Sequence, residues 1–173
     1  MTEMERRFPI GRYAKQTSPP DRAARAEHIE AIAQAPAAIR KLVEGLGTAD
    51  LDRRYRDGGW TIRQVVHHVP DSHMHAYLRF KFALTEAEPA VRAYPEGLWA
   101  ELPDVSRVAP MVSVELLDAL HRRWVSTLRA MSGEAFLRTY VHSENGPVPL
   151  YDALGLYAWH GRHHAAHIAL ALS

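Results

Sequence analysis

Three features of the sequence predict an all-α four-helix bundle. Four stretches carry apolar residues at three- and four-residue steps, the spacing of a buried helical stripe. At least one connection between them is long. Eight of the 11 histidines fall in two of the four stretches, at residues 67–75 and 160–167. One metal site shared by two facing helices produces such a split, and bundles build such sites in their cores.

The 173 residues suit one domain, 1–173, long enough to bury a substantial core without staples. Hydrophobic residues make up 47% and charged residues 24%, and the net charge of +1 argues against a generally basic nucleic-acid surface. With no cysteine there is neither a disulfide nor a thiolate nucleophile, so a metal site must draw on histidine, carboxylate and water. No apolar run is long enough to span a bilayer and no signal-peptide core follows the charged N-terminus, a pattern read as cytoplasmic.

Residues 1–20 hold Pro9, Gly11, Pro19 and Pro20 without a period and are expected to form an extended arm lying on the body. Asp21 opens the first helix, Arg22–Leu46, whose stripe of Ile29, Ile32, Ala33, Ala37, Ile39, Leu42 and Val43 is expected to break or kink at Pro36. Leu51–Gly59 is a charged connector ending in the turn signal Asp57-Gly58-Gly59. The second helix starts at Trp60 or Thr61, where Thr61 and Gln64 have capping-box spacing, and runs to about Glu86, with a kink expected at Pro70. Glu88–Pro110, with four prolines, reads as a long loop in which Tyr94, Leu98 and Trp99 serve as a lid or as a contact in a homodimer. Ser113 is expected to open the third helix, which runs to about Met131 on Val114, Leu117, Leu120, Trp124 and Leu128. Leu137–Val141 and Val148–Leu150 flank a turn and suggest a small hairpin before the fourth helix, Leu150–Leu172.

Helical phase ranks the histidines. In the fourth helix His164 lies nearest the centre of the apolar stripe, His160 next, and His167 and His163 towards its edge. His160 and His164, four residues apart, place two imidazoles one above the other, a spacing that lets one helix give two ligands to one ion. In the second helix His68 points inward and His67 nearly away. His73 falls closer still to the stripe if Pro70 leaves the helix straight, so the third ligand stays open among His68, His73 and His67. Asp71, three residues after His68, can orient an imidazole or serve as a base.

Gly59-Trp60-Thr61 with a histidine eight residues after the tryptophan, then Asp71-Ser72, then Tyr157-Ala158-Trp159-His160-Gly161-Arg162-His163-His164, resembles the DinB/YfiT superfamily, as do Phe8-Pro9-Ile10-Gly11 and Asp57-Gly58-Gly59-Trp60. The nearest resemblance is to YfiT-like proteins, described as metal-dependent hydrolases or bacillithiol transferases, and it covers almost the whole chain. It implies an up-down-down-up bundle, a homodimer, and a divalent ion, zinc or nickel, held by His68, His160 and His164. Pro70 departs from the family pattern.

Three neutral imidazoles leave an open position on a divalent ion, as catalytic sites do. The function expected from the resemblance is a metal-dependent S-transferase joining a low-molecular-weight thiol, bacillithiol or an equivalent, to small electrophiles. A metal-dependent hydrolase acting through water is the alternative, and a non-catalytic metal-binding bundle is a second. Asp71 is the candidate base, and Arg162 or Arg79 the candidate holder of a substrate carboxylate.

Overall fold

The computed structural model describes residues 2–173, which are mostly helical. In chain order the helices are α1 (Glu3–Arg7), α2 (Arg22–Val43), α3 (Thr48–Leu51), α4 (Ile62–Thr85), α5 (Glu96–Trp99), α6 (Pro103–Arg107), α7 (Pro110–Ala130) and α8 (Leu150–Leu172). The strands β1 (Ala90–Val91), β2 (Thr139–His142) and β3 (Gly146–Pro149) form one small sheet, with β1 parallel to β2 and β2 antiparallel to β3.

The long helices α2, α4, α7 and α8 make the bundle, in which α7 and α8 each pack against both α2 and α4. Cross-helix partners fix their directions. His67 meets Ser113 and His73 meets His121, so α4 and α7 run the same way. Ser72 and His73 both meet His160, while Arg79 meets Tyr157, so α8 runs against α4. Arg129 of α7 pairs with Glu30 near the start of α2, which makes those two antiparallel. The result is the up-down-down-up order.

Two apolar cores fill the bundle. One holds Ile29, Phe80, Trp124, Leu128 and Leu154 and is closed by Phe136, Tyr140 and Val148 from the sheet end. The other holds Ile39, Val65, Val69, Leu117 and Ile168. Between them runs a layer of buried imidazoles from three helices: His68 and His73 on α4, His121 on α7, and His164 and His167 on α8. The fourth wall, α2, supplies Ala35 there, and a Cβ on Gly161 would come within 3.0 Å of its methyl group. A glycine therefore lets α8 approach α2 closely beside His160.

Several expectations are corrected. The arm is not wholly extended: Thr2 and Glu5 form a capping box that starts α1. The α2 stripe is not ended at Pro36, since α2 runs on to Val43, and α4 likewise continues through Pro70, both prolines being buried. Ala37 is exposed rather than part of the α2 stripe. Residues 88–110 are not a structureless loop but contain β1, α5 and α6. Pro110 takes the first turn of α7, where its missing N–H costs nothing. Ser113 is thus inside the helix, buried, with its hydroxyl 2.7 Å from Nδ1 of His67. That bond shows why His67, off the α4 stripe by phase, is buried all the same: it faces α7. The capping box of Thr61 and Gln64 and the span of α8 match expectation.

Candidate metal centre

One ring nitrogen from each of His68, His160 and His164 lies within 4.8 Å of the others. Tetrahedral zinc ligation at about 2.0–2.1 Å implies nitrogens roughly 3.3 Å apart, so closure on an ion needs only small side-chain movements. His68 reaches this point despite Pro70, because α4 stays helical through it. Its ring packs against Trp60 at 4.6 Å, and that tryptophan also stacks near His164 at 6.5 Å. Gly59 before it is required by space, since a Cβ would lie 2.8 Å from Cγ of Arg56 and 3.1 Å from Cζ of Tyr55. The Gly58-Gly59-Trp60 turn thus builds one wall of the site.

The three nitrogens open into a cavity of about 500 Å³, a size suited to a small molecule. Its rim combines Arg7 and Phe8 from the arm, Tyr55 and Arg56 from the connector, and Tyr94 and Glu96 beyond β1. Ser72 lines it as well, with Oγ 3.5 Å from Nε2 of His160.

Burial holds the imidazoles neutral. It pushes His68 down to about 4 and drives His160 and His164 well below the usual histidine value, with the neighbouring histidines adding to the effect. Neutral, unshared nitrogens are what a divalent ion requires.

A second circle of residues surrounds the trio. Nε2 of His73 lies 3.0 Å from Nδ1 of His160, and Nδ1 of His73 lies 2.8 Å from Nε2 of His121. On the other side His167 approaches His164 at 3.4 Å, while its own ring stacks on Tyr55 at 3.9 Å. His73 is therefore buried behind the site. His163 lines the cavity, sandwiched between Trp159 at 4.2 Å and Phe8 at 6.1 Å.

Asp71 is half-buried on α4 and is not among the cavity-lining residues. Burial, with the charge of Asp104, raises its pKa to about 6. Arg162 is exposed and borders a different hollow with Glu27, Glu30 and Gln34 of α2. Arg79 is buried and bonds Tyr157 and the carbonyl of Arg92. The sequence reading missed His121, Tyr55, Arg7 and Arg56. His121 had a signal, because it continues the α7 stripe through Leu117, Trp124 and Leu128. The others are brought in by the arm and the connector, which have no period to read.

The DinB superfamily model matches residues 31–168. The chain belongs to the DinB superfamily. It is 48% identical over 162 residues to a Bacillus cereus (strain B4264) protein named "Putative metal-dependent hydrolase", a match covering 94% of this chain and 92% of that one. It is 43% identical over 169 residues to the Bacillus subtilis (strain 168) protein YfiT, which carries the same description, covering 97% and 94%. A solved structure of Bacillus subtilis YfiT, described as a probable metal-dependent hydrolase with an unusual four-helix bundle topology, superposes with a TM-score of 0.91 over 95% of this chain and 94% of that one. A mycothiol-dependent maleylpyruvate isomerase shares the fold at TM-score 0.66 and 18% identity, covering 83% of this chain and 60% of its own. No helix among the described residues is long and apolar enough to cross a membrane.

Proposed function

We propose that His68, His160 and His164 hold one divalent ion, zinc or nickel, in an enzyme that transfers a low-molecular-weight thiol, bacillithiol or an equivalent, to a small electrophile. The observation that carries the metal reading is the convergence of three neutral imidazole nitrogens in the wall of a cavity sized for a small molecule. Imidazole suits both metals. When bound, such an ion offers an open position at which the pKa of a thiol or a water falls towards neutrality, supplying a nucleophile that a chain without cysteine lacks.

The chain's own groups do the rest. Arg7 and Arg56 face the cavity and are placed to hold a substrate carboxylate, a role we assign to them because Arg162 faces α2. Glu3 steadies Arg56 at 3.7 Å. Trp60 and His163 give flat walls against which an apolar electrophile can pack while water is excluded. Asp71, with its raised pKa, is proposed as the proton acceptor. It is next in sequence to Ser72, which lines the cavity.

A hydrolase, in which water takes the place of the thiol, is the second reading, and the names of the relatives favour it. One panel of electrophiles and esters, run with metal alone, thiol alone and both, separates them by mass spectrometry. The transferase reading expects thioether products only when both are present. Turnover with metal alone, with solvent oxygen in the product, would establish the hydrolase instead. Turnover by the metal-free protein at the full rate would refute both.

A further inference from the structure

Proline has no N–H, so Pro36 leaves the carbonyl of Ile32, four residues earlier in α2, without its helical donor. That carbonyl lies in the core, where an unpaired acceptor is costly. Nδ1 of His121 reaches it across the bundle at 2.7 Å. A carbonyl can only accept, so His121 carries its proton on Nδ1 and, being neutral, offers Nε2 as an acceptor. Nδ1 of His73, 2.8 Å away, must then donate to it, which leaves Nε2 of His73 as an acceptor. Nδ1 of His160 donates to that nitrogen at 3.0 Å, and the lone pair of His160 is left on Nε2. Each bond fixes the next, from a backbone carbonyl to the cavity.

A second series has the same logic. The carbonyl of Arg7 is one of those that the end of α1 leaves without an intrahelical donor. Nε2 of His167 lies 3.2 Å from it and donates, so Nδ1 of His167 is an acceptor. Nδ1 of His164, 3.4 Å away, is its donor, and the lone pair of His164 is again on Nε2. His68 has no such partner among the described residues.

We propose that His73, His121 and His167 are positioning residues that fix the tautomers of His160 and His164, so that both present an unprotonated Nε2 to the same point of the cavity. His73, His121 and His167 are all buried, where a neutral imidazole is favoured over a charged one. The two series begin at carbonyls left free for unrelated reasons, a proline and a helix end. The use of these lone pairs in metal binding rests on the proposed function, whereas the order of the hydrogen bonds does not.

Nitrogen-15 NMR of histidine-labelled, metal-free protein tests the order directly. The expected spectrum has Nδ1–H at His73, His121, His160 and His164, and Nε2–H at His167. A proton on Nε2 of His160 or His164 would overturn the proposal. Zinc(II) affinity, by competition with a chromophoric chelator, tests the consequence. His167→Phe, which removes the hydrogen-bond partner of a proposed ligand, should bind zinc about 10–100-fold more weakly with the trio intact, and His121→Phe, one bond further from His160, should weaken it in the same direction. His121→Gln, which can both donate to Ile32 and accept from His73, should keep most of the affinity. Unchanged affinity in the phenylalanine variants, or equal loss in the glutamine variant, counts against the positioning role. Should His121→Phe fail to fold, the wild-type spectrum and the glutamine variant still decide. A wild-type protein that shows these tautomers but binds no zinc would remove the metal reading and leave the hydrogen-bond order standing.

Discussion

His121 is 2% exposed and His73 fully buried, and burial pushes His121 down to about 4 and His73 well below its ordinary value. His68 and His167 fall to about 4 and His163 to about 3 for the same reason. Between pH 6.5 and 4 the unfolded chain therefore binds more protons than the folded one, so stability rises with pH through this window and is fully present above it. For His121 alone the shift corresponds to about 3 kcal/mol lost at the acid end, a large share of the roughly 5–15 kcal/mol that holds a domain folded. Asp71, raised to about 6, works with the opposite sign but is one group against several. Metal-free protein should thus lose stability steeply below pH 6.5 and unfold before pH 4. Urea melts at half-unit steps would show this, and a flat midpoint between pH 7 and 4.5 would contradict it. At this scale phase alone found His160 and His164 and ranked His68 ahead of His67. It left His73 open because Pro70 lies between it and His68, and phase is carried across a proline only if the helix stays straight.

At the level of elements, the arm is tied to α8 by more than proximity. Tyr13 Oη donates to Oδ1 of buried Asp152 at 2.6 Å, the backbone N–H of Gln16 donates to the same oxygen at 2.8 Å, and Trp159 Nε1 donates to the carbonyl of Gly11 at 3.2 Å. Gly155 makes room for the Tyr13 hydroxyl and the Gln16 side chain, since a Cβ there would collide with that side chain and lie 3.0 Å from Tyr13 Oη. This seating places the Arg7 carbonyl on His167 and Arg7 itself on the cavity rim. Gly155→Ala should therefore weaken zinc affinity and raise KM for an anionic substrate, although it improves helix propensity by about 1 kcal/mol and touches no proposed ligand. Far-ultraviolet circular dichroism should stay unchanged; zinc affinity and KM equal to wild type would show that the arm does not support the site. None of this was legible in residues 1–20, where prolines and glycine signal irregular chain but not what it lies on. The long helices were legible because each carries its own stripe, with Asp21 and Thr61 capping the first two, and α5, α6 and β1 were not, because five residues or fewer carry no period.

For the whole molecule, the histidine layer is flanked on both sides by apolar core, so folding does not wait on a ligand. A small metal domain built around its ion unfolds when the ion is removed. Here metal at 1,000 times its dissociation constant would add about 4 kcal/mol, worth roughly 8–16 °C in the melting temperature of a chain of this size. Chelation should lower the transition by that order, keep it a single step as expected of one domain over 1–173, and abolish activity. Unfolding at 25 °C on chelation would favour the non-catalytic, structural reading of the metal. The same samples report on assembly. Leu98, 70% exposed, is joined by Leu102, Val108, Val112 and Leu116, so exposed apolar side chains recur through residues 98–116, which overlap the segment around Tyr94 and Trp99 expected, with the N-terminal arm, to mediate a homodimer. Because this segment lies on the outside of α5, α6 and the start of α7 and contributes nothing to the metal trio, we propose that dimerisation is independent of the ion. Sedimentation equilibrium should give twice the chain mass with and without chelator. A monomer in both would remove the dimer while leaving the site intact, and a mass that halves on chelation would mean that the ion orders the interface from within.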